Sequence, residues 1–189
     1  MESALIISHS EKGRDFFTEL LNASSISRIL ATKSCIDARK LLLEQSFDLV
    51  IVNAPLMDET GESLSRQIAS KGTTQVILVL KSEHYEALST SFENDGVFTI
   101  AKPVNKAIFR AALKFANASR NRLMREKAEN IKLNQKIEDI RIVDRAKHIL
   151  ISHVNMSEQE AHRFIEKQAM DMRATKRTIA EGILRTYEY

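Results

Sequence analysis

Five short apolar runs, separated by amphipathic segments, constrain the fold of the first 105 residues more than any other feature. They occupy residues 4–7, 28–32, 48–53, 76–80 and 97–101. Runs this short and this apolar are typical of strands that are buried in a parallel sheet. The segments between them repeat apolar residues at helical spacing, as in Phe16, Phe17, Leu20 and Leu21. This alternation predicts an open, parallel α/β sheet with helices on both faces.

The last 45 residues predict a second, all-helical module of three short helices. Asn155 ends the first helix, Ser157 and Glu160 form a capping box that begins the second, and Thr175 caps the third. The apolar stripes are Ile142, Ala146, Ile149 and Leu150 in the first helix, Ala161, Phe164, Ile165, Gln168 and Ala169 in the second, and Ile179, Ala180, Ile183 and Leu184 in the third. Because helices of this size bury little surface alone, we expect them to need each other and a second copy of the chain.

A helix without Pro or Gly is predicted to join the two modules, from about residue 105 to about residue 145. Its length favours a coiled coil in a parallel homodimer. The expected seam contains Phe109, Ala112, Ala116, Leu123, Ile131, Ile137 and Ile140, and is interrupted by Lys127, Asn130 and Asn134. The alternative is one amphipathic helix packed on the first domain. The predicted domains are therefore 1–105, a linker helix over 106–141, and 142–189.

Charge separates the two ends of the chain. Residues 1–105 hold 10 Lys and Arg against 14 Asp and Glu, whereas residues 106–189 hold 18 against 11. A basic C-terminal part favours a polyanionic partner, although a solvated charged helix gives the same pattern. The single Cys35 excludes an internal disulfide and a cysteine zinc cage. The sequence has no apolar run that is long enough to span a membrane, and no basic segment precedes an apolar one at the N-terminus. We therefore predict a cytoplasmic protein.

The C-terminal module resembles the ANTAR domain, a three-helix RNA-binding module of bacterial transcription antiterminators. The resemblance lies in an ordered set of short motifs. These are A-K-x-I-L from Ala146, S-E-x-E-A from Ser157, the Ala169-Met170 step, and I-A-E-x-I-L from Ile179. It implies binding to paired hairpins of a leader RNA, so that a terminator hairpin sharing their sequence does not form. An antiterminator of this kind is not an enzyme and needs no cofactor.

The run Asp48–Val52 and the step Ala101-Lys102-Pro103-Val104 are similar to the matching segments of response-regulator receiver domains. This resemblance implies a flavodoxin-like fold, but the residues of phosphoryl transfer are missing. Such a site needs a carboxylate nucleophile, acidic ligands for Mg²⁺ and a lysine. The phosphoacceptor position holds Asn53, and Ser8, His9 and Ser10 stand where the acidic pair is expected. Two residues of the receiver site remain. They are Lys102, which precedes Pro103, and Asp58, which lies too far beyond the end of the third strand to replace the nucleophile. Lys102 is expected to pair with Asp48 or Asp58, or to lie in solvent. We therefore predict no metal and no phosphorylation. Control would come through a sensor or ligand-binding protein, which is the hypothesis that we favour, through dimerisation, or through constitutive activity.

The candidates for RNA binding are cations of the C-terminal module. Phosphate contacts provide affinity, and shape or splayed bases provide specificity. The candidates are Lys147, Arg163, Lys167, Arg173, Lys176 and Arg177. Tyr187, Tyr189 and the histidines His148, His153 and His162 are weaker candidates for base stacking. The alternatives are a protein–protein adaptor and a DNA-binding response regulator; helix-turn-helix domains usually have a longer recognition helix and a glycine turn.

Overall fold

The computed structural model describes residues 1–24 and 26–187, so Tyr189 lies outside the described residues. The chain divides into two compact units, Met1–Met124 and Arg125–Tyr189. In the parts that the structure describes, no helix is both long and apolar enough to cross a membrane.

The first unit contains a parallel sheet of five strands in the order β2-β1-β3-β4-β5. The strands are β1 Ser3–Ile7, β2 Arg28–Thr32, β3 Leu49–Asn53, β4 Gln75–Leu80 and β5 Phe98–Ala101. The helices that follow them are α1 Glu11–Asn22, α2 Cys35–Glu44, α3 Glu62–Ser70, α4 Ser82–Asn94 and α5 Lys106–Val154. This strand order is that of flavodoxin-like folds, which confirms the predicted fold class.

Both faces of the sheet are buried, which explains why its strands are apolar without alternation. Successive side chains point to opposite faces. Leu5 and Ile7 pack in the core below α2 and α3, whereas Ala4 and Ile6 pack in the other core with Phe17 of α1. Every residue of β1 and β4 is buried. The carboxyl ends of the strands therefore meet at one edge, where ligand sites of open α/β sheets form.

The start of α5 belongs to the core of the first unit. Phe109, Leu113 and Ala116 are buried, and Phe109 packs 5.4 Å from the ring centroid of Phe17. The assignment of Phe109, Ala112 and Ala116 to a coiled-coil seam was therefore wrong, and the alternative of a helix packed on the first domain is correct for this part of α5. The spacing of apolar residues does not distinguish a coiled-coil seam from a helix face that packs on a sheet, because in both cases apolar residues recur every three or four positions.

The second unit is built from the C-terminal part of α5, α6 (Glu158–Asp171) and α7 (Lys176–Tyr187). The first of the three predicted helices is thus the end of α5 and not a separate short helix. Asn155 ends it with a left-handed φ of 54°. The core consists of Ala146, Leu150, Ala161, Ile165, Ala180, Ile183 and Leu184. Phe164 was expected in this core, but it is 37% exposed.

The predicted caps of α6 and α7 are present. The Ser157 hydroxyl accepts from the amide of Glu160, and the Glu160 carboxylate accepts from the amide of Ser157 at 2.8 Å. Thr175 Oγ1 accepts from the amide of Thr178 at 3.1 Å. Since each cap satisfies amides that a helix leaves free, the sequence fixes where these helices begin.

Candidate functional site

Neutral groups fill the edge of the sheet where a receiver carries its acids. Asn53 ends β3, and its Nδ2 donates to Ser8 Oγ at 2.9 Å. Ser8 is fully buried, and its hydroxyl donates to the carbonyl of Ser10 at 3.3 Å. Gly13 allows this close packing, since a Cβ there would lie 2.5 Å from Ser8 Oγ and 2.7 Å from Asn53 Nδ2. An amide and two hydroxyls at these positions offer neither a carboxylate nucleophile nor an anionic ligand for Mg²⁺.

Lys102 follows β5 and points to the same edge. Its Nζ donates to the carbonyl oxygen of Ala54, which contradicts the expected pairing with Asp48 or Asp58. Burial, and then the positive charge of Lys81, hold the pKa of Lys102 below its usual range. The lysine is therefore held by a neutral acceptor in a locally positive environment.

The two aspartates that were expected to pair with Lys102 are engaged elsewhere. Asp58 Oδ2 accepts from the amide of Ile36 at 3.1 Å, in the first turn of α2. Burial opposes its ionisation, but the backbone N–H groups of Ile36 and Cys35 outweigh that effect and lower its pKa. Asp48 forms an ion pair with Arg120 of α5 and accepts from the amide of Glu2, both at 2.5 Å. Asp58 thus stabilises a helix N-terminus, where a negative charge is favourable.

One group of potential metal ligands was not foreseen from the sequence. Cys35 Sγ and carboxylate oxygens of Asp58 and Glu59 lie within 4.8 Å of one another. Arg39 binds Glu59 through two hydrogen bonds of 2.5 and 2.9 Å. Burial, and then the charges of Asp58 and Glu59, raise the pKa of Cys35 to about 11. The thiol is therefore protonated at neutral pH and the carboxylates have other partners, so this group is not a built metal site.

In the second unit, three of the six candidate cations connect helices through ion pairs. Lys147 Nζ of α5 lies 2.7 Å from Asp144 and 3.8 Å from Glu158 of α6. The hydrogen bond to Asp144 is the main cause that raises the pKa of Lys147. Lys176 of α7 pairs with Glu166 of α6 at 2.5 Å and lowers the pKa of that carboxyl group.

Arg177 is the third connecting cation, and it joins α7 to α5. Its guanidinium lies 2.9 Å from Asp139 of α5 and 2.7 Å from Glu181, one turn further along α7. Hydrogen bonds to Glu181 and then Asp139 raise its pKa further above neutrality. A substitution of Lys147, Lys176 or Arg177 would therefore change helix packing as well as surface charge.

The other three candidates, Arg163, Lys167 and Arg173, are exposed and form no ion pair within the described ranges. Arg163 and Lys167 are four residues apart on α6, so they share a face of the helix. That face is opposite the one that buries Ala161, Ile165 and Ala169. The three cations can therefore bind an anion without first breaking an ion pair within the chain.

Arg173 also has an unusual backbone conformation. It follows α6 with a left-handed φ of 51°, a conformation that glycine adopts without cost. Its amide donates to Met170 O, and the amide of Ala174 donates to Ala169 O, which is the Schellman pattern at a helix end. Asn, Gly or Asp is more usual here. The turn therefore fixes the backbone beside a charged side chain.

Phe164 is an aromatic side chain that sequence reasoning assigned to the core. It is partly exposed and adjacent to Arg163 on α6. Tyr187 lies 5.8 Å from His153, ring centroid to ring centroid, so these weaker candidates for stacking contact each other. His162 contacts Glu166 at 3.2 Å. Helical periodicity alone could have placed Phe164 at the edge of the buried stripe, because its angle lies outside the arc of Ala161, Ile165 and Ala169.

The fold of the first unit is that of response-regulator receiver domains. It is similar to a two-component response regulator from Clostridium difficile, with 20% identity, a TM-score of 0.55, and coverage of 62% of this chain and 97% of that chain. A CheY-like receiver domain from Methylobacillus flagellatus is 22% identical, with a TM-score of 0.53, over 61% of this chain and 98% of that chain. These likenesses establish the receiver fold.

The second unit contains an ANTAR domain, since residues 132–184 match the model of that family. The chain is also similar to the transcriptional regulatory protein PdtaR of Mycobacterium tuberculosis. That protein is 24% identical over 139 residues, which cover 74% of this chain and 68% of PdtaR. The chain therefore combines a receiver fold with an ANTAR domain, as the resemblances in its sequence predicted.

Proposed function

We propose that this protein is a transcription antitermination regulator that binds paired hairpins of a leader RNA through its ANTAR domain. The match of residues 132–184 to the ANTAR family carries this proposal, and the name of the regulatory relative PdtaR supports it. By holding two adjacent hairpins, the protein prevents the formation of a terminator hairpin that shares their sequence. This activity makes and breaks no covalent bond.

The exposed, unpaired cations are the groups that we propose to contact RNA phosphates first. Arg163 and Lys167 lie on the outer face of α6, and Arg173 lies in the turn after it. Arginine can contact a phosphate with two parallel hydrogen bonds, and lysine acts as a point charge. Lys147, Lys176 and Arg177 keep the helices in place through ion pairs, and the adjacent carboxylates offset their charges.

We propose Phe164 as the side chain that contacts an unstacked loop base. It is 37% exposed and adjacent to Arg163, so a base that stacks on the ring would lie near a cation that holds the backbone. Stacking of a base on an aromatic side chain contributes about 1–3 kcal/mol by alanine substitution. Single-stranded loops are the usual place where proteins read RNA sequence.

A homodimer would supply the second binding site that paired hairpins require. In the second unit, Leu133, Ile137 and Ile140 of α5 are 56%, 49% and 61% exposed. Their spacing of four and then three residues is that of a coiled-coil seam, and Asn130 continues it at the preceding position. Leu133 was missing from the seam that was expected from the sequence. We propose that this line packs against a second copy, with Asn130 fixing the register.

We propose that the receiver-fold domain is not phosphorylated and is controlled by a sensor or ligand-binding protein. Asn53, Ser8 and Ser10 are neutral, and Asp58 is occupied at the N-terminus of α2. Incubation with acetyl phosphate and Mg²⁺ should therefore leave the intact mass unchanged. A mass increase of one phosphoryl group that disappears in Asp58→Asn would contradict this part of the proposal.

RNA binding is tested with a triple variant in which Arg163, Lys167 and Arg173 are replaced by Gln. The control variant carries Lys33→Gln, Lys71→Gln and Lys114→Gln, which change the net charge equally in the other unit. Affinity for a panel of two-hairpin RNAs is measured by filter binding across a salt series. Each lost phosphate contact should lower the slope of log K against log salt by about 0.7–0.9.

The expected result is a loss of affinity of about tenfold or more in the triple variant and little change in the control. Circular dichroism checks that both variants are folded. Equal losses in the two variants would indicate nonspecific attraction. No binding of any hairpin RNA by the folded wild-type dimer would favour the protein–protein adaptor, and a preference for duplex DNA would favour a DNA-binding regulator.

A further inference from the structure

The receiver-fold domain has an open cavity of about 760 Å³ at the carboxyl edge of its sheet. Its lining includes three lysines, Lys12, Lys81 and Lys102, and one acidic residue, Glu83. None of the three lysines forms an ion pair within residues 1–24 and 26–187. The lining thus carries a net positive charge, with three lysines against Glu83, and the lysines are not ion-paired with that carboxylate.

The backbone at this edge also favours an anion. Ser82 and Glu83 are the first residues of α4, a helix of 13 residues whose N-terminus has no side-chain cap. The first amides of a helix lack intrahelical partners, and the helix dipole places a partial positive charge there. Lys81 precedes this helix, and its charge contributes to the low pKa of Lys102. A bound anion would reduce the repulsion between these two lysines.

The rest of the cavity is apolar. Phe16, Phe17, Pro103 and Val104 line it beside the lysines. A volume of about 760 Å³ lies in the range of cavities that hold small organic ligands, and is larger than a free phosphate ion needs. Asn53 lines the cavity as a neutral amide that donates to Ser8, so Glu83 is the acidic residue of the lining. The lining therefore suits a ligand with a negative head and an apolar body.

We propose that this cavity binds a phosphate monoester with an apolar body, reversibly and without a metal ion. Lys12, Lys81 and Lys102 hold the phosphate, and Phe16, Pro103 and Val104 contact the apolar part. The ligand is bound and not transferred, because Asn53 offers no nucleophilic carboxylate. Occupancy of this site would give the domain a chemical input that does not depend on phosphorylation.

The test uses the full chain and phenyl phosphate as the probe, with EDTA present, in isothermal titration calorimetry. Phenyl phosphate should bind saturably, and more tightly than inorganic phosphate or phenol, because only the ester uses both parts of the lining. Lys102→Gln and Lys81→Gln should each weaken binding about tenfold, since a hydrogen bond to a charged group is lost. Lys71→Gln is the control, as Lys71 does not line this cavity.

Thermal unfolding of each variant shows whether the domain is intact. If Lys102→Gln destabilises it, Lys12→Gln provides an exposed substitution in the same cavity. The proposal is overturned if phenyl phosphate shows no saturable binding, if Lys71→Gln weakens binding as much as Lys81→Gln, or if binding requires Mg²⁺. Loss of RNA binding in any of these variants would concern the proposed function. It would not change the conclusion on whether this cavity binds phenyl phosphate.

Discussion

Arg173 combines a positive charge with a backbone conformation that suits glycine. A left-handed φ costs a non-glycine residue about 1–2 kcal/mol, and glycine avoids most of this cost. The Schellman hydrogen bonds of Arg173 and Ala174 hold the turn in this conformation. At the residue scale, stability favours Gly at this position, whereas the proposed RNA contact requires the guanidinium.

Two substitutions of Arg173 should separate these effects. Arg173→Gly should raise the stability of the second unit by about 0.5–1 kcal/mol and lower RNA affinity, because it removes the strain and the charge together. Arg173→Ala should lower RNA affinity equally without the gain in stability. Urea unfolding and RNA filter binding measure the two quantities. Unchanged RNA affinity in both variants would remove Arg173 from the proposed interface.

The N-terminus of α6 depends on a reciprocal cap. The Ser157 hydroxyl is the main cause that lowers the pKa of Glu160, followed by the Ser157 amide. A carboxyl group whose pKa is lowered on folding contributes stability above its unfolded pKa and loses this contribution as the pH falls through its folded pKa. At the scale of the element, α6 should therefore fray at its start in acid before its core is disturbed.

Hydrogen exchange of the first-turn amides of α6 checks this prediction. Protection should be full near neutral pH and should fall as the pH is lowered below the ordinary Glu value, which is near 4.5. Glu160→Gln is the matched control, since its amide oxygen can still accept the hydrogen bond but does not titrate. A wild type with the same acid profile as Glu160→Gln would show that the carboxylate does not control fraying.

Ser157→Ala tests the other half of the same cap. The loss of its side-chain oxygen should cost about 1 kcal/mol of helix stability, the usual cost of removing an N-terminal cap. Thermal unfolding measured by circular dichroism provides the measurement. Ser152→Ala is a suitable control, because Ser152 is an exposed serine within α5 and does not cap a helix. Equal melting temperatures for Ser157→Ala and the wild type would contradict the assigned role.

At the scale of the whole molecule, the proposed function requires two ANTAR domains on one RNA. Linking two binding sites makes the second contact intramolecular and raises the overall affinity. The exposed line of Leu133, Ile137 and Ile140 is the proposed dimer contact. Ile131 is equally exposed, at 59%, but lies outside the spacing of that line. The chain thus contains an internal control for the seam.

Leu133→Asp together with Ile137→Asp should give monomers, because a coiled-coil seam does not tolerate buried, unpaired charges. Affinity for a two-hairpin RNA should fall at least about tenfold, while affinity for one hairpin should change little. Sedimentation velocity and filter binding provide the measurements. Ile131→Asp should remain dimeric. A dimeric double variant would place the contact elsewhere.

The sequence predicted most of the fold because its signals are local. The short apolar strands, the capping box at Ser157 and the cap at Thr175 each depend on neighbouring residues. The assignments that failed required knowledge of the partner surface. Phe109 and Ala112 have the spacing of a coiled coil but pack in the core beside the sheet, and Phe164 has nearly the spacing of a core residue but is exposed.

The sequence by itself determined that this chain has a receiver fold and an ANTAR domain, and that neutral residues replace the receiver acids. These conclusions depend on which residues are present and on their order along the chain. They do not depend on which distant side chains come into contact. Only the tertiary structure decided which cations are free. Lys147, Lys176 and Arg177 meet acidic groups on other helices, whereas Arg163, Lys167 and Arg173 face outward. The physical reason is that a charge binds the nearest opposite charge in space, and that distance is set by packing.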